Sequence, residues 1–277
     1  MEKESIPWTA FTCPEGHFEW QVMPFGLKNA PSIFQRKMDQ IFKKYSDFVL
    51  VYIDDILVFS KTETEHIKHL QVVFTEFLKN GLIISKKKME LSKEYIEFLG
   101  MRIGQEKIQL QDHIVKKILD FPDKIEETKE LQKFLDILNY ARMYINDLSK
   151  LTGPLYAKLS PKGQKFFNSE DVRLVKRIKY EVKKLPSLTL PLESDYKIVE
   201  TDSSSEGWGA ILLVRPKEFS SQKDEKICRY SSELYRESKN FLTSLDFEIL
   251  GVINALNSFR LFIQNDVFTI RTDCEQL

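Results

Sequence analysis

The sequence predicts an α+β protein made of three consecutive parts. Paired strands alternate with amphipathic helices in residues 1–110, helices fill residues 111–190, and three strands, a helix and a strand in residues 191–277 predict a mixed α/β sheet. The 277 residues suffice for two globular domains, because one hydrophobic core usually serves about 100–200 residues.

Composition excludes several classes of protein. Hydrophobic side chains make up 42% of the chain, too many for a disordered protein. No stretch approaches the roughly 20 consecutive apolar residues of a membrane span, and residues 1–11 lack the pattern of a secretory signal. We therefore expect a globular protein with no membrane partner. The 41 basic and 41 acidic residues cancel, so nucleic-acid binding must depend on local patches.

Cysteine and histidine spacing predicts no zinc site. Cys13, Cys228 and Cys274 are isolated in the sequence, which fits free thiols in a reducing compartment. His66 and His69 lie three residues apart on a predicted helix. We expect both on the surface, since no further Cys or His lies nearby to complete a site.

The first part contains two predicted helices on either side of a predicted strand pair. Pro31 suits the first turn of one helix, and Thr62 and Glu65 form a capping box for the other, which Gly81 ends. Residues 48–60 predict two buried strands joined by a tight turn, and residues 94–103 predict another hairpin.

The middle part predicts helices at residues 112–123, 128–145 and 169–185, with a linker near 184–191. The last of these helices carries a basic stripe, formed by Arg173, Lys176, Arg177, Lys179, Lys183 and Lys184.

The last part predicts strands at residues 197–202, 208–214, 226–234 and 266–273, with a helix over 244–263. Thr243 and Asp246 form a capping box at the start of this helix. Its inward face is predicted to consist of Ile249, Val252, Leu256, Phe259 and Ile263.

Two adjacent carboxylates lie inside the apolar segment of residues 48–60. If Asp54 and Asp55 are buried, they repel each other and lose solvation, so both stay ionised only beside a cation. A pair of divalent cations would meet this need and would support in-line phosphoryl chemistry. The alternative is an exposed Asp-Asp turn that binds nothing. The apolar surroundings and the preceding Tyr52 favour the metal site.

A second group of carboxylates is expected near the C-terminal end of the chain. Asp202 and Asp273 each end a predicted strand, and Glu248 lies early in the helix between them. If the two strands are neighbours, the three carboxylates converge, which is hard to sustain without Mg²⁺. Each residue alone could be a cap or a solvated strand end, but together they favour a metal site.

Several motifs resemble those of reverse transcriptases: FGLKNAPSIFQ at 25–35, YIDD at 52–55 and FLG at 98–100. The wording IDDILVFS at 53–60 is typical of long-terminal-repeat retroelements, including the Ty3/gypsy type, and of plant pararetroviruses. Residues 121–145 are similar to the caulimovirus polymerase, and the segments at 200–204, 246–250 and 272–274 resemble the RNase H domain fused behind it. The motifs follow the family's order along nearly the whole chain.

The resemblance implies a reverse transcriptase palm remnant in residues 1–110, a helical thumb or connection in 111–190, and an incomplete RNase H-like domain in 191–277. It implies an RNA-directed DNA polymerase that uses two-metal nucleotidyl transfer, and a ribonuclease that degrades the RNA of RNA–DNA hybrids. Mg²⁺ would be the cofactor, with Mn²⁺ as a substitute. The partners would be an RNA template, a DNA primer, an RNA–DNA hybrid and dNTPs, in the host cytoplasm or the virus particle.

The resemblance also implies roles for single residues of the polymerase. Asp54 and Asp55 would hold the metal ions, with Tyr52 beside the primer end. Phe25 and Gly26 match the motif that contacts the incoming nucleotide and the template.

Further roles follow from the other motifs. Lys88 matches the lysine that protonates the leaving pyrophosphate, with Lys86 and Lys87 as rival assignments. Phe98, Leu99 and Gly100 match the primer grip. Asp202, Glu248 and Asp273 match three of the four RNase H acids. The basic helices would hold the nucleic acid through its phosphates, by shape and not by sequence.

The sequence departs from the family at both ends. The family carries another metal-binding aspartate before the region that residues 5–11 resemble, and a fourth RNase H acid after Asp273; we expect both to be missing. Because loss of one such ligand usually costs orders of magnitude in rate, we predict that this polypeptide alone polymerises DNA weakly or not at all.

Three interpretations follow from the sequence. The first is an enzyme fragment, and the second is a catalytically inactive relic of an endogenous virus that at most binds nucleic acid. The third, a cellular metal-dependent nuclease, needs only residues 195–277. It leaves the motifs at 25–35 and 52–55 unexplained and ranks last.

Overall fold

The chain forms two units in the computed structural model, Met1–Lys93 and Glu94–Leu277. The structure describes residues 1–161, 163–235, 242–264 and 266–274. Within these ranges no helix is both long and apolar enough to cross a membrane. This division after Lys93 separates two compact parts of the chain and does not test where their functions begin or end. The predicted domain boundaries after residues 110 and 190 therefore stay predictions.

The first unit contains two antiparallel strand pairs and two long helices. The elements are β1 (Phe11–Cys13), β2 (Gly16–Phe18), α1 (Ala30–Phe42), β3 (Val49–Tyr52), β4 (Asp55–Val58) and α2 (Glu63–Lys79). Short 3₁₀ turns lie at Lys3–Ser5, Pro7–Thr9, Lys43–Tyr45 and Lys86–Lys88.

Both helices pack against the β3–β4 hairpin around a small apolar core. The core residues are Met38, Phe42, Val49, Val73 and Phe77. The predicted helices and hairpin of this region are therefore confirmed.

Local signals explain where α2 begins and ends. The Glu65 backbone N–H donates to Thr62 Oγ1 at 3.3 Å, as a capping box requires, but the Glu65 carboxylate accepts from the Lys61 backbone and not from Thr62. Gly81 has φ +65°, the left-handed conformation that commonly follows a helix.

The predicted surface position of the two neighbouring histidines was only partly right. His66 and His69 are half-buried, because their Nδ1 atoms lie 3.1 and 2.7 Å from Ser60 Oγ and the His69 ring stacks on Phe48.

The second unit contains two four-stranded sheets and five helices among its described residues. The elements of its first half are β5 (Ile96–Phe98), β6 (Met101–Gly104), β7 (Lys107–Leu110), α3 (Asp112–Asp120), α4 (Thr128–Leu138), a 3₁₀ segment (Asn139–Tyr144), α5 (Leu148–Leu159), α6 (Ser169–Lys183) and β8 (Leu188–Thr189). The second half contains β9 (Tyr196–Ser203), β10 (Gly207–Arg215), a 3₁₀ turn (Gln222–Asp224), β11 (Lys226–Leu234), α7 (Ser244–Ile263) and β12 (Phe268–Arg271).

The first sheet has the antiparallel order β5-β6-β7-β8. Ile108 of β7 pairs with Leu188 of β8, and Leu188 is completely buried. The predicted linker at residues 184–191 was therefore wrong at this point. A strand of two residues is too short to show an alternating pattern in the sequence. It is a strand only because it pairs with β7.

Helix α5 was missed because Gly153 and Pro154 lie inside it. Both residues ordinarily interrupt a helix. In the fold, Leu155 is completely buried, and a Cβ added to Gly153 would lie 2.2 Å from Leu234 Cδ1. The helix therefore approaches β11 closely at Gly153, where a larger side chain would have to displace the Leu234 side chain.

The second sheet has the order β11-β10-β9-β12, with β12 parallel to β9 and the other pairs antiparallel. Helix α7 packs against β9 and β10. Four strands and a helix were predicted here, and both capping-box hydrogen bonds between Thr243 and Asp246 are present.

The predicted inward face of α7 needs one correction. Ile249 is 39% exposed, and the buried side chains of the helix include Phe247, Phe259 and Ile263. A Cβ on Gly251 would lie 2.6 Å from Ser203 Cβ, so the helix meets β9 through its small residues. This close approach turns Ile249 outward.

Candidate active sites

Two neighbouring parallel strands and one helix bring three carboxylates together in the second unit. Glu200 on β9 pairs with Arg271 on β12, so Asp202 and Asp273 each follow two residues beyond a paired position. Glu248 lies in the second turn of α7. Ligand oxygens of Asp202, Glu248 and Asp273 all lie within 4.8 Å of one another. The expected convergence is present.

The three carboxylates differ in their surroundings. Asp202 and Asp273 are exposed, whereas Glu248 is buried. Burial raises the pKa of Glu248, and the nearby charges of Asp273 and Asp202 raise it further. The Thr272 hydroxyl donates to Glu248 Oε2 at 3.4 Å and acts in the opposite direction. A cation at this point would relieve the repulsion.

A groove of about 370 Å³ adjoins these carboxylates. Asp147, Gln222 and Arg271 are among the polar side chains that line it. The Arg271 guanidinium donates to Glu200 Oε2 and to Glu225 Oε1, both at 2.9 Å, and these bonds raise the pKa of Arg271. The groove therefore has polar walls, and its arginine is already held by two carboxylates.

The other predicted pair of carboxylates lies on the β3–β4 hairpin. Asp54 is in the turn, and Asp55 begins β4 opposite Tyr52. Both aspartates are exposed, so their predicted burial was wrong. The hairpin has only two strands, and residues such as Leu50, 47% exposed, lie open to solvent. Because water solvates Asp54 and Asp55, burial does not force them to bind a cation.

The two groups of carboxylates differ in how many possible metal ligands they bring together. Among the described residues, Asp202, Glu248 and Asp273 are the only group of three or more His, Cys, Asp or Glu side chains placed to hold a metal ion. Asp54 and Asp55 are adjacent, but no third such group joins them within the part of the chain that the structure describes.

The remaining predicted site residues are divided between the two units. In Met1–Lys93, Tyr52 is 51% exposed, Phe25 is fully exposed, Gly26 has φ +92°, and Lys88 is exposed in its 3₁₀ turn. In Glu94–Leu277, Phe98 is buried at the end of β5.

Leu99 and Gly100 form the two-residue turn from β5 to β6. Their φ values of +49° and +80° match the type I′ turn of tight hairpins. A Cβ on Gly100 would lie 2.8 Å from Tyr140 Cδ1, so the position requires glycine.

Sequence reasoning missed Gln35. Its side chain accepts a hydrogen bond from the Ile53 N–H and donates to the Val51 carbonyl, on the hairpin that carries Asp54. Gln35 ends the motif at residues 25–35, so its place in that motif was the available signal.

Comparison with protein families identifies both ends of the chain. Residues 1–103 match the family model described as reverse transcriptase (RNA-dependent DNA polymerase). Residues 193–277 match the RNase H-like domain found in reverse transcriptase. The chain therefore joins a reverse transcriptase segment to an RNase H-like domain, and domains of both kinds generally use divalent metal ions.

The curated relatives of the chain are viral polyproteins. The chain is 44% identical to Polyprotein P3 of Commelina yellow mottle virus, over the whole chain and 15% of that protein. It is 42% identical to the enzymatic polyproteins of Cauliflower mosaic virus (strain Strasbourg) and Figwort mosaic virus (strain DxS), over 99% of the chain and 40% of each relative. The chain is therefore similar over nearly its whole length to caulimovirus and badnavirus polyproteins, and it spans less than half of their length.

Solved structures confirm the predicted fold class. A foamy viral protease-reverse transcriptase in complex with double-stranded DNA matches 99% of this chain, over 47% of its own length, with a TM-score of 0.84 and 24% identity. The foamy viral protein in complex with an RNA/DNA hybrid matches 99% of this chain and 36% of its own length, with a TM-score of 0.80 and 24% identity. At this identity the likeness concerns the fold.

Proposed function

We propose that this chain is the part of a pararetroviral polyprotein that synthesises DNA on RNA and DNA templates and degrades the RNA strand of RNA–DNA hybrids. The convergence of Asp202, Glu248 and Asp273 within 4.8 Å, inside the segment that matches an RNase H-like domain, is the observation that carries this proposal.

The donor set fits Mg²⁺. Three carboxylates supply only oxygen ligands, which hard cations prefer, and no His or Cys belongs to the group. Asp202, Glu248 and Asp273 would hold the ion, which when bound polarises a phosphate oxygen and lowers the pKa of water. Mn²⁺ has similar ligand preferences and would substitute.

The chain's own residues set the conditions for ribonuclease activity. Glu248 is held inside the domain, where Thr272 donates to its carboxylate. The exposed Asp202 and Asp273 line the groove and would repel the phosphodiester of the RNA strand in the absence of a cation. Hybrid binding at this groove should therefore depend on the divalent ion.

The match of residues 1–103 to reverse transcriptases supports a polymerase role for the first unit. Asp54 and Asp55 would hold Mg²⁺ for nucleotidyl transfer, and Tyr52 would contact the primer end. Lys88 would protonate the leaving pyrophosphate.

Backbone geometry supports two further contacts. Gly26 is exposed with φ +92° and nothing within 4 Å of a Cβ built on it, so a nucleotide could approach its backbone closely beside Phe25. The rigid turn of residues 98–100 would grip the primer.

Charge on α6 supports nucleic-acid binding. Arg173, Lys176, Arg177 and Lys183 are exposed along this helix. Lysine and arginine side chains bind phosphates without reading sequence, which suits a protein that must follow any template. An RNA–DNA hybrid with dNTPs is the substrate that both proposed activities require.

One gel assay tests both activities. An RNA–DNA hybrid with a recessed DNA 3′ end and separately labelled strands is incubated with the full chain, Mg²⁺ and dNTPs. We expect at most weak RNA cleavage that the double variant Asp202→Asn/Glu248→Gln abolishes, and at most weak extension that Asp54→Asn/Asp55→Asn abolishes. Glu233→Gln, an exposed carboxylate on β11, is the matched control. Cleavage that survives Asp202→Asn/Glu248→Gln would refute the ribonuclease assignment.

A further inference from the structure

The turn that carries Asp54 has an unfavourable backbone conformation. Ile53 is the first of the two residues between β3 and β4, and its φ is +51°. Among the described residues it is the only β-branched side chain with positive φ. Such residues avoid the left-handed region because their Cβ substituents crowd the backbone, and hairpins of this kind usually place glycine there.

Gln35 makes hydrogen bonds to both sides of this turn. The Ile53 N–H donates to Gln35 Oε1, and Gln35 Nε2 donates to the Val51 carbonyl at 3.1 Å. The same Nε2 donates to Asp39 Oδ1 at 2.8 Å, one helical turn further along α1. The carbonyl of the amide therefore bonds Ile53, while its NH₂ group bonds Val51 and Asp39.

Helix α1 supplies a firm base for this contact. Met38 and Phe42 on the same helix are buried against Val49 at the start of β3. Gln35 thus links a packed helix to the turn of the hairpin. Strained conformations persist only where the surrounding structure holds them, and they concentrate at functional sites.

We propose that Gln35 is a positioning residue for the polymerase site: its amide holds Ile53 in the left-handed conformation and thereby fixes the direction of the Asp54 carboxylate. The expected effect of Gln35 on metal binding rests on the proposed role of Asp54 and Asp55. Its effect on the conformation of the turn is independent of that role.

The test compares four forms of the full chain by residue-resolved NMR. Gln35→Leu removes both hydrogen bonds to the turn together with the one to Asp39. Gln35→Leu/Ile53→Gly also removes the backbone strain at position 53. Gln40→Leu, an exposed glutamine on the same helix, is the matched control. All forms carry Asp202→Asn to weaken the other metal site. Amide exchange at position 53, the Asp54 chemical shift, Mn²⁺ broadening at residues 52–55 and the melting temperature are measured.

We expect amide exchange at position 53 to become about 10-fold faster in Gln35→Leu, with a displaced Asp54 signal. Mn²⁺ affinity at the turn should fall about 10-fold, as when an outer-shell partner of a metal ligand is lost. Adding Ile53→Gly should restore the Mn²⁺ affinity and the Asp54 signal while exchange stays fast. A merely structural role would lower the melting temperature without this rescue.

The outcomes separate the two proposals. If the parent form shows no Mn²⁺ broadening at residues 52–55, the proposed metal role of Asp54 and Asp55 fails, while the exchange rates and the Asp54 signal still decide the role of Gln35. If Gln35→Leu leaves both of these unchanged, or if Ile53→Gly gives no rescue of the Asp54 signal, Gln35 does not position the turn.

Discussion

Asp202 and Asp273 occupy equivalent places on two parallel neighbouring strands, each two residues beyond the paired residues Glu200 and Arg271. This register places two carboxylates side by side at one end of the sheet, and Glu248 reaches them from α7. Their mutual repulsion must be offset for all three to stay charged.

Replacing one of the three carboxylates should show how much their repulsion destabilises the metal-free protein and how much a bound metal ion stabilises it. In EDTA, Asp273→Asn should be at least as stable as the native chain, because it removes a charge from a repelling group. With Mg²⁺ the native chain should gain stability by mass action, whereas the variant should gain less. Thermal melts with and without Mg²⁺, with Glu233→Gln as the control, measure this. An equal gain in both chains would contradict the proposed site.

The pKa of Glu248 predicts a pH dependence of the metal-free protein. A carboxyl whose pKa is raised by folding favours the native state while it is protonated. That contribution should therefore be present below the ordinary carboxyl pKa and lost as the pH rises through the raised value. Denaturant unfolding in EDTA across this range should show stability falling with pH for this group. Glu248→Gln should flatten the fall, and an unchanged profile would contradict the prediction.

The buried ion pair of Lys158 and Asp171 should be essential to the second unit. Lys158 Nζ lies 2.8 Å from Asp171 Oδ2, and both side chains are buried. Because Lys158→Met leaves a buried carboxylate unpaired, it should destabilise the protein by about 3–5 kcal/mol in denaturant unfolding. Lys133→Met breaks the exposed pair with Glu130 and should cost less than about 1 kcal/mol. If the two variants lose similar free energies of unfolding, the buried ion pair contributes no more to stability than the exposed one.

Gly100 should tolerate no side chain. Gly100→Ala combines φ +80° with a Cβ 2.8 Å from Tyr140 Cδ1. We expect a loss of at least about 2 kcal/mol, from backbone strain and from displacement of the ring. Gly81→Ala has positive φ but open space around its Cβ, so it should cost only about 1 kcal/mol. Chemical unfolding measures both, and equal costs would show that the contact with Tyr140 is unimportant.

Short-range signals in the sequence predicted most of the secondary structure. The Thr243 and Asp246 capping box, the alternating strands around it and the order of elements were sufficient to predict the sheet and the convergence of Asp202, Glu248 and Asp273. These signals can be read from the sequence because they involve residues that are close together in it. Capping residues lie within one helical turn, and apolar residues recur every two positions in strands and about every 3.6 in helices. The roles of the site residues stay predictions.

Tertiary contacts decided what local signals could not. Asp54 and Asp55 are exposed because the hairpin has only two strands, although its sequence is apolar enough to be buried. Helix α5 forms despite Gly153, because that glycine allows β11 to approach. Ile249 faces outward because Gly251 sets the rotation of α7 against β9. The sequence by itself determined most of the helices and strands and which carboxylates converge. Helix α5, strand β8, the burial of the hairpin and the rotation of α7 depend on partners distant in the chain, and only packing decided them.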